Sequence, residues 1–336
     1  MNKFIVIKKL LTDHYKKNII IHKSPDKGYR SRVEFGFTEN VFTMYDNKNK
    51  IFLTTFDIAK KEISTLMPKL LEEIKFNDEI QNKLFQVNFR SNSLGYVMIS
   101  LIYHKEISKK LIDLINQISI KLNCEIILRS KKFFYSTGSG FLEDVLNVNE
   151  RFTLYQTDQS FYQPNFYLLP KMIKKVKSLI KKPNDLIELY CGSGTFTIPL
   201  SKQFKRIFAT ENNRKSIICL EKGIKKNNID NILYARISDD EVSEVFNGRK
   251  FNRMKNINID EYNFSHILVD PPRSGLSKNL ISILIKFKNI IYISCNFDTY
   301  LRDIKLLSAF EIIDIELFDQ FPNTSHVEIV SLLKQK

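Results

Sequence analysis

Hydrophobic and polar positions follow different patterns in the two halves of the chain. In the second half, short apolar runs alternate with stretches that repeat apolar side chains at helical spacing. Buried strands that alternate with helices predict an α/β fold with a parallel, doubly wound sheet. The pattern predicts strands at residues 187–190, 206–210, 231–234, 266–269, 289–294, 311–318 and 327–333, and helices at 195–203, 215–227 and 299–309.

The first half alternates apolar and polar side chains at residues 32–37, 85–89 and 96–103, which is typical of strands with one buried face. Helical spacing surrounds these strands, at residues 57–76 and 107–122. This combination predicts an α+β domain built on an antiparallel sheet.

The length of 336 residues agrees with two domains, since a domain typically has roughly 150 residues. Residues 134–159 are weakly patterned and contain Gly and Ser, so we interpret them as an irregular connection. We place the domain boundary near residue 155. The prediction is an N-terminal domain of residues 1–155 and a second domain of residues 156–336.

Composition excludes several classes of protein. Hydrophobic residues make up 43% of the chain and aromatic residues 12%, which is enough to fill sizeable cores and argues against disorder. No apolar run approaches the roughly 20 residues of a membrane span. The four cysteines are widely spaced and form no CxxC pair, which excludes a disulfide scaffold, predicts no metal site and favours a cytoplasmic location.

The charge of the chain is strongly positive. Its 52 Lys and Arg residues exceed its 37 Asp and Glu residues, and the excess is spread over both halves. Such a balance indicates a polyanionic partner, with nucleic acid as the first choice. The alternative is compositional, because the richness in Lys, Ile and Asn is also what an AT-rich coding sequence would give.

A glycine loop follows the first strand of the second half, at Gly192 and Gly194. Here the backbone can approach a ligand and the next helix presents free amides. Glu211 ends the next strand, where a carboxylate can accept hydrogen bonds from both hydroxyls of a ribose. The pair fits an adenosine-containing cofactor, either a dinucleotide or S-adenosylmethionine. Thr197 replaces the third glycine of a dinucleotide fingerprint, which disfavours the dinucleotide.

Two further motifs follow predicted strands. The run Asp-Pro-Pro-Arg begins at Asp270, and its prolines stiffen the backbone at the edge where open α/β sheets bind ligands. A structural turn is the alternative. Cys295, in Ser-Cys-Asn, points into the same crevice. It would be a nucleophile if positive charge such as that of Arg273 lowered its thiol pKa, and is otherwise a small core residue.

Glu328 lies near the start of the final predicted strand, between Val327 and Ile329. A carboxylate in apolar surroundings has a raised pKa and can act as a proton acceptor. The alternative is a strand-edge side chain that faces solvent. His326 is a weaker candidate for the base, since a structural histidine is the better explanation of it.

Taken in order, and with Gln163-Pro164-Asn165 ahead of them, these motifs resemble those of the RNA 5-methyluridine methyltransferases. The resemblance covers nearly the whole chain and is specific to the tRNA (uracil-5-)-methyltransferase branch. The stretches that carry it are residues 22–25 (HKSP), 29–35 (YRSRVEF), 83–86 (KLFQ), 103–105 (YHK), 209–211 (ATE), 251–253 (FNR) and 318–322 (FDQFP).

The resemblance implies a Rossmann-like class I S-adenosylmethionine-dependent methyltransferase domain preceded by an N-terminal α+β RNA-binding domain. It implies that Cys295 adds to C6 of uracil, which makes C5 nucleophilic toward the methyl group of S-adenosylmethionine. Glu328 then accepts the C5 proton. The implied cofactor positions are Gln163, Tyr190, Thr195, Glu211 and Asp270.

The implied target is the uridine at position 54 in the T loop of tRNA, with the equivalent uridine of tmRNA as a further substrate. Such a base must be flipped out of the loop to expose C6. The resemblance points to Glu34, Phe85 and His104 as RNA contacts. We add Arg32, Arg30 and the ring of Tyr103 from residue type. No protein partner is inferred, and we expect a monomer.

Two residues depart from the family pattern: Thr195 stands where an Asn is frequent, and Phe297 where a Pro is common. The rRNA-modifying relatives often carry an iron–sulfur cysteine cluster, whereas Cys124 is the only cysteine before residue 191, so no such cluster is expected. The alternatives are an rRNA uridine methyltransferase with a reduced N-terminal domain, and a non-catalytic RNA-binding module.

Overall fold

The computed structural model describes residues 3–46 and 48–336, which form two β-sheets, a separate hairpin and the helices that cover them. The strands are β1 Ile20–His22, β2 Arg32–Thr38, β3 Val41–Asp46, β4 Asn49–Leu53, β5 Leu84–Ser91, β6 Val97–Tyr103, β7 Glu125–Ser130, β8 Phe133–Ser136, β9 Leu142–Asn147, β10 Arg151–Gln156, β11 Asp185–Leu189, β12 Arg206–Thr210, β13 Ile232–Ala235, β14 Phe264–Val269, β15 Asn289–Ser294, β16 Phe310–Phe318 and β17 Glu328–Gln335.

The α-helices connect and cover these strands. They are α1 Lys3–Leu11, α2 Lys61–Lys75, α3 Asp78–Gln81, α4 Lys109–Leu122, α5 Leu169–Leu179, α6 Thr197–Leu200, α7 Arg214–Lys226, α8 Asp239–Phe246, α9 Lys278–Leu284 and α10 Phe297–Leu306. Short 3₁₀ turns lie at Ser201–Gln203, Asn252–Met254 and Ile259–Glu261.

The larger sheet has eight strands in the order β1-β16-β17-β15-β14-β11-β12-β13. Strands β11 to β15 are mutually parallel, which confirms the predicted α/β class with a Rossmann-like sheet. The final strand departs from this pattern, because β17 runs antiparallel to both of its neighbours, β15 and β16.

Two apolar layers cover the two faces of this sheet. Along β11, Ile187 and Leu189 belong to one layer and Leu186 to the other, as expected when successive side chains point to opposite faces. The first layer is completed by α1, α8, α9 and α10. The second is completed by α5, α6 and α7. Burial on both faces explains why these strands are continuous apolar runs.

The smaller sheet has seven strands in the order β4-β3-β2-β5-β6-β7-β8. All its pairings are antiparallel except β6 with β7, which α4 connects. Helices α2 and α4 pack their apolar faces against the sheet in a separate core. The N-terminal region is therefore an α+β unit, as predicted.

The structure differs from the predicted organisation in two segments. Helix α1 packs in the apolar layer of the larger sheet, and β1 pairs with β16, so residues 3–22 lie with the second unit although they come first in the chain. The stretch 134–159 is not irregular, since it contains the antiparallel hairpin of β9 and β10. That hairpin packs on α7 through residues such as Phe152 and Leu154.

No helix in the described part of the chain is both long enough and apolar enough to cross a membrane.

Candidate active site

The predicted site residues of the second half lie at one edge of the larger sheet. Tyr190, Glu211, Asp270 and Cys295 each directly follow a parallel strand, respectively β11, β12, β14 and β15. Because the carboxyl ends of parallel strands meet at the same edge, the fold brings these side chains together.

The glycine loop after β11 has a backbone that few side chains tolerate. Tyr190, Gly192 and Gly194 all have positive φ, at 59°, 56° and 84°. A Cβ atom on Gly194 would stand 2.5 Å from Leu220 Cδ1, so glycine is required where the loop packs on α7. A Cβ on Gly192 would meet nothing within 4 Å, which leaves open space for a ligand over the loop.

Glu211 is tied to that loop. One carboxylate oxygen accepts a hydrogen bond from the Gly192 amide at 3.0 Å, and the other accepts from the Asn213 amide at 2.6 Å. Asn213 in turn caps α7 by accepting from the amides of Lys215 and Ser216. The carboxylate is thus held in one orientation by backbone donors, and each oxygen keeps a lone pair for a further donor.

Three other predicted cofactor residues are partly or fully enclosed around the loop. Gln163 and Thr195 are buried, and Tyr190 is half-buried. Burial, together with the neighbouring Asp239 charge, raises the pKa of the Tyr190 phenol, so it stays neutral. Glu188 lies in β11, two residues before Tyr190. It is a buried carboxylic acid, and burial raises its pKa to about 8.

The third residue of the Gln-Pro-Asn motif has a structural role that the sequence did not reveal. Asn165 is fully buried, and its amide nitrogen donates to Ser24 Oγ at 2.8 Å and to the Gln320 carbonyl at 3.1 Å. Its amide oxygen accepts from the backbone of Tyr167 and Leu168. This residue therefore joins three separate segments beside the site.

The Ser-Cys-Asn motif builds the turn that presents Cys295. Asn296 accepts from the Asp298 amide and so caps α10, while its Nδ2 donates to the Arg273 carbonyl at 3.0 Å. Thr299 Oγ1 donates to the same carbonyl at 3.3 Å. The Asp-Pro-Pro-Arg loop and the nucleophile turn are thereby fastened to each other.

Glu328 reaches the same edge from the opposite direction. Strand β17 is antiparallel, so its first residue lies where its neighbours end, and Ile329 pairs with Ser294. Cys295 follows Ser294 and Glu328 precedes Ile329, so in this antiparallel pair Glu328 lies beside Cys295. The glutamate is only 4% exposed, so it does not face solvent as the alternative interpretation required.

Burial dominates the electrostatics of this group. It raises the pKa of Glu328 well above its ordinary value and that of Asp270 to about 7, and the Asp270 charge adds to the effect on Glu328. Burial and both carboxylates raise the pKa of the Cys295 thiol to about 11, while Arg273 opposes this shift. Arg273 is thus the nearby positive charge that a thiolate at this position would require.

A cleft of about 890 Å³ opens beside Cys295. One wall is formed by Arg273 and residues 295–298, and another by residues 323–327. The third wall is helix α1, through Lys3, Phe4, Val6 and Ile7. Sequence reasoning missed this contribution from α1, because its residues join the site only through contacts that span almost the whole chain.

The predicted RNA contacts of the first half fall into two pairs. Phe85 and His104 are exposed and stack on each other, with ring centroids 4.2 Å apart and planes 18° apart. Arg32 Nε donates to Glu34 Oε1 at 2.9 Å, so these two side chains bind each other on β2.

Two further candidates differ in how accessible they are. Tyr103 is buried and donates its hydroxyl to the Ile80 carbonyl at 2.9 Å. The prediction that its ring stacks on RNA is therefore wrong. Arg30 is half-buried, donates to the Arg32 carbonyl and lies over the ring of Phe321 at 5.6 Å.

The other cysteines have the environment of core residues. Burial raises the thiol pKa of Cys124 to about 12 and that of Cys219 to about 11, and also raises that of Cys191. Within residues 3–46 and 48–336, no group of three or more His, Cys, Asp or Glu side chains is arranged to hold a metal ion.

Comparison with known proteins gives a consistent result. The model of the tRNA (uracil-5-)-methyltransferase family matches residues 1–336. The tRNA/tmRNA (uracil-C(5))-methyltransferase of Campylobacter lari is 41% identical over 338 residues, which cover 97% of this chain and 96% of that protein. Its counterpart from Saccharophagus degradans is 38% identical, over 98% of this chain and 93% of that protein.

Among solved structures, the tRNA (uracil-54, C5)-methyltransferase of Pyrococcus abyssi, in complex with S-adenosyl-L-homocysteine, shares the fold. It superposes with a TM-score of 0.77 at 22% identity, over 98% of this chain and 82% of that chain.

Proposed function

The chain belongs to the tRNA (uracil-5-)-methyltransferase family, and on this premise we propose that it methylates C5 of the T-loop uridine, position 54, of tRNA. The family is S-adenosylmethionine-dependent, so the protein is an RNA methyltransferase with that methyl donor. We extend the proposal to the equivalent uridine of tmRNA because the Campylobacter and Saccharophagus relatives are named for both RNAs. The observation that carries the proposal is the meeting of Cys295 and buried Glu328 at the edge that also holds the glycine loop.

Cys295 is assigned as the nucleophile. Its thiolate forms a bond to C6 of uracil, and the electron pair of the C5–C6 double bond moves toward the C4 carbonyl oxygen. C5 of the resulting enolate is nucleophilic and forms the new carbon–carbon bond. S-adenosylmethionine, when bound, supplies the electrophilic methyl group on its sulfonium sulfur.

Glu328 is assigned as the proton acceptor that completes the reaction. It takes the C5 proton, the electron pair rebuilds the C5–C6 double bond, and the carbon–sulfur bond to Cys295 breaks. Burial raises the pKa of Glu328 and so favours its neutral form in the free protein, but the carboxylate, once ionised, is a stronger base than an exposed one. The raised pKa of Cys295 means that the thiol is protonated in the free protein, and Arg273 is placed to favour the thiolate.

The residues at the glycine loop fit the cofactor. The open space over Gly192 and the fixed Glu211 carboxylate suit an adenosine whose ribose hydroxyls donate to that carboxylate. Gln163, Tyr190 and Thr195 would line the same crevice, and Asp270 would face the cofactor from β14. Thr195 offers a hydroxyl where a side-chain amide is frequent in the family.

We assign RNA recognition to the N-terminal unit, whose predicted extent is residues 1–155, and the chemistry to residues 156–336. The packing of residues 3–22 on the larger sheet modifies this division, since that segment lies with the catalytic unit. The exposed Phe85–His104 stack and the Arg32–Glu34 pair support an RNA contact surface on the smaller sheet.

The test separates the step before methyl transfer from the step after it. Each variant is incubated with S-adenosylmethionine and a tRNA transcript, and the products are separated on a denaturing gel. We expect Cys295→Ala to give neither 5-methyluridine nor an adduct. Glu328→Gln should accumulate a covalent protein–RNA species, because the C5 proton is retained.

Matched controls are Cys124→Ala, in the N-terminal unit, and Glu311→Gln, at an exposed position on β16. Both should methylate at the wild-type rate. A covalent adduct in Cys295→Ala would contradict the assignment of the nucleophile. Preferential methylation of an rRNA transcript over the tRNA transcript, with the modified nucleotide mapped, would overturn the substrate assignment.

A further inference from the structure

Helix α1 contributes a charged group to the cleft beside Cys295. Lys3 lies in the first turn of α1, and only 16% of its side chain is exposed. Its ammonium group donates to Asp319 Oδ1 at 2.6 Å, to the Phe321 carbonyl at 3.1 Å and to the His326 carbonyl at 2.9 Å. An ammonium group has three donors, so all of them are used.

The three acceptors belong to one segment, residues 319–327, which connects β16 to β17 and leads directly into Glu328. The acceptors lie at both ends of this segment. The single ammonium group of Lys3 therefore links the beginning of the segment to its end. The loop residues Phe321 and His326 sit within that span, with their rings in edge-to-face contact.

Other parts of the chain make further contacts with the beginning of the segment. The Asp319 amide donates to the His22 carbonyl at 2.8 Å, and Asn165 donates to the Gln320 carbonyl. Arg30 lies over the Phe321 ring. The hydrogen bond from Lys3 to the His326 carbonyl lies two residues before Glu328. It therefore holds the end of the segment, and this end sets the position at which Glu328 enters β17.

We propose that Lys3 is a positioning residue that holds the segment 319–327 so that Glu328 faces the C5 proton of the covalent intermediate. This inference rests on the proposed role of Glu328 as the proton acceptor. Lys3 itself touches neither Cys295 nor the reacting atoms in this role. Charge-assisted hydrogen bonds of this kind are short and directional, which suits a group that fixes a loop.

A positioning role of Lys3 affects one step of the reaction and not the other. Loss of the Lys3 ammonium should leave adduct formation nearly unchanged, since Cys295 is held by a different turn through Asn296 and Arg273. It should slow release of the adduct, because a base displaced by about 1 Å can lose on the order of 100-fold in rate. Methylated RNA should therefore remain attached to the protein.

The experiment compares Lys3→Met with the wild type. Methionine keeps the length of the side chain but has no hydrogen-bond donor. We expect kcat to fall by about 10- to 100-fold, with kcat/KM for S-adenosylmethionine unchanged, because the slowed step follows methyl transfer. A covalent protein–RNA band should appear on a denaturing gel during turnover. In a single-turnover reaction, methyl transfer to the bound RNA should keep its wild-type rate while adduct release is slowed.

The matched control is Lys9→Met, the same substitution at an exposed position of the same helix, which should behave as wild type. Asp319→Asn weakens one partner of Lys3 without emptying the site, so it serves if Lys3→Met does not fold. It should accumulate a smaller amount of adduct. Equal loss of methyl transfer and of adduct release in both variants would overturn the inference, because a merely structural role slows both.

Glu328→Gln separates the two proposals. If that variant accumulates the adduct and neither Lys3→Met nor Asp319→Asn does, the base is correct and the positioning role of Lys3 is wrong. If Glu328→Gln accumulates no adduct and releases product normally, the assignment of the base itself fails, and the inference about Lys3 fails with it.

Discussion

Glu188 shows what a single buried carboxyl does to the stability of the fold. It is the next-to-last residue of β11, close to the glycine loop, is 1% exposed, and has a pKa that burial raises to about 8. In the unfolded chain the same group would titrate near its ordinary value of 4.5. The folded protein therefore binds a proton that the unfolded chain has lost over the range between these values, so stability falls as the pH rises through it.

We predict that Glu188→Gln removes this part of the pH dependence. Between pH 5 and pH 8, the free energy of unfolding of the wild type should decrease relative to that of the variant by roughly 3 to 5 kcal/mol. Denaturant unfolding at several pH values measures this difference. The exposed carboxyl variant Glu311→Gln should keep the wild-type slope. Parallel profiles for the wild type and Glu188→Gln would show that the carboxyl is not held protonated.

The sequence predicted the position of the candidate catalytic groups better than that of the groups that hold them. Cys295 and Glu328 follow or begin strands that have a clear apolar pattern, so their placement at a sheet edge could be predicted from local sequence. Lys3 and Asn165 could not, because their partners lie up to 323 and 155 positions away. No local pattern reports a contact of that range.

At the scale of elements, the loop after β14 depends on the helix that follows β15. Asp303 of α10 is fully buried and accepts hydrogen bonds from the Leu276 amide at 2.9 Å and from the Tyr292 hydroxyl at 2.6 Å. Arg302 donates to the Ser274 carbonyl at 2.9 Å. Helix α10 thus fastens the loop that carries Asp270, as well as the turn that carries Cys295.

Gly275 is the place where this arrangement can be tested. It has φ of +74°, and a Cβ atom there would lie 2.6 Å from Asp303 Oδ2 and 2.9 Å from Thr299 Cβ. Asp303 cannot yield easily, since this Oδ2 already accepts hydrogen bonds from the Leu276 amide and the Tyr292 hydroxyl. We predict that Gly275→Ala destabilises the protein by about 2–4 kcal/mol and lowers methyl transfer.

The control for that prediction is Gly28→Ala. Gly28 has a similar φ of +66°, but a Cβ atom there would meet nothing within 4 Å. The control therefore carries only the backbone strain, which is on the order of 1–2 kcal/mol. Chemical denaturation of both variants gives the difference. Equal losses of stability would mean that the contact between Gly275 and α10 does not hold the loop.

Two of the elements that sequence reasoning missed have a pattern that is short or shared with turns. Strand β1 has three residues and gains its place by pairing with β16 almost 300 positions later. The β9–β10 hairpin lies among Gly, Ser and polar residues in the sequence. Its buried face is formed by Leu142, Leu146, Phe152 and Leu154. Neither feature is visible until the partner surface, β16 or α7, is known.

At the scale of the whole molecule, charge and shape serve different parts of RNA binding. The excess of 52 basic over 37 acidic residues is spread along the chain, so it favours association with any polyanion. Selection of a T loop requires contacts to bases, and in the proposed function the exposed Phe85–His104 stack provides such a contact. The two contributions can be separated, because only the first depends on salt.

We predict that Phe85→Ala weakens binding to an isolated T-arm hairpin by about 10-fold, since stacking on an aromatic ring is worth about 1–3 kcal/mol per base. Fluorescence anisotropy at several salt concentrations measures this. The slope of log Kd against log salt should stay that of the wild type, because the substitution removes no charge. Phe52→Ala is the matched control, as both rings are 49% exposed and belong to the same sheet. If Phe52→Ala weakens the hairpin as much as Phe85→Ala does, the stack is not a specific RNA contact.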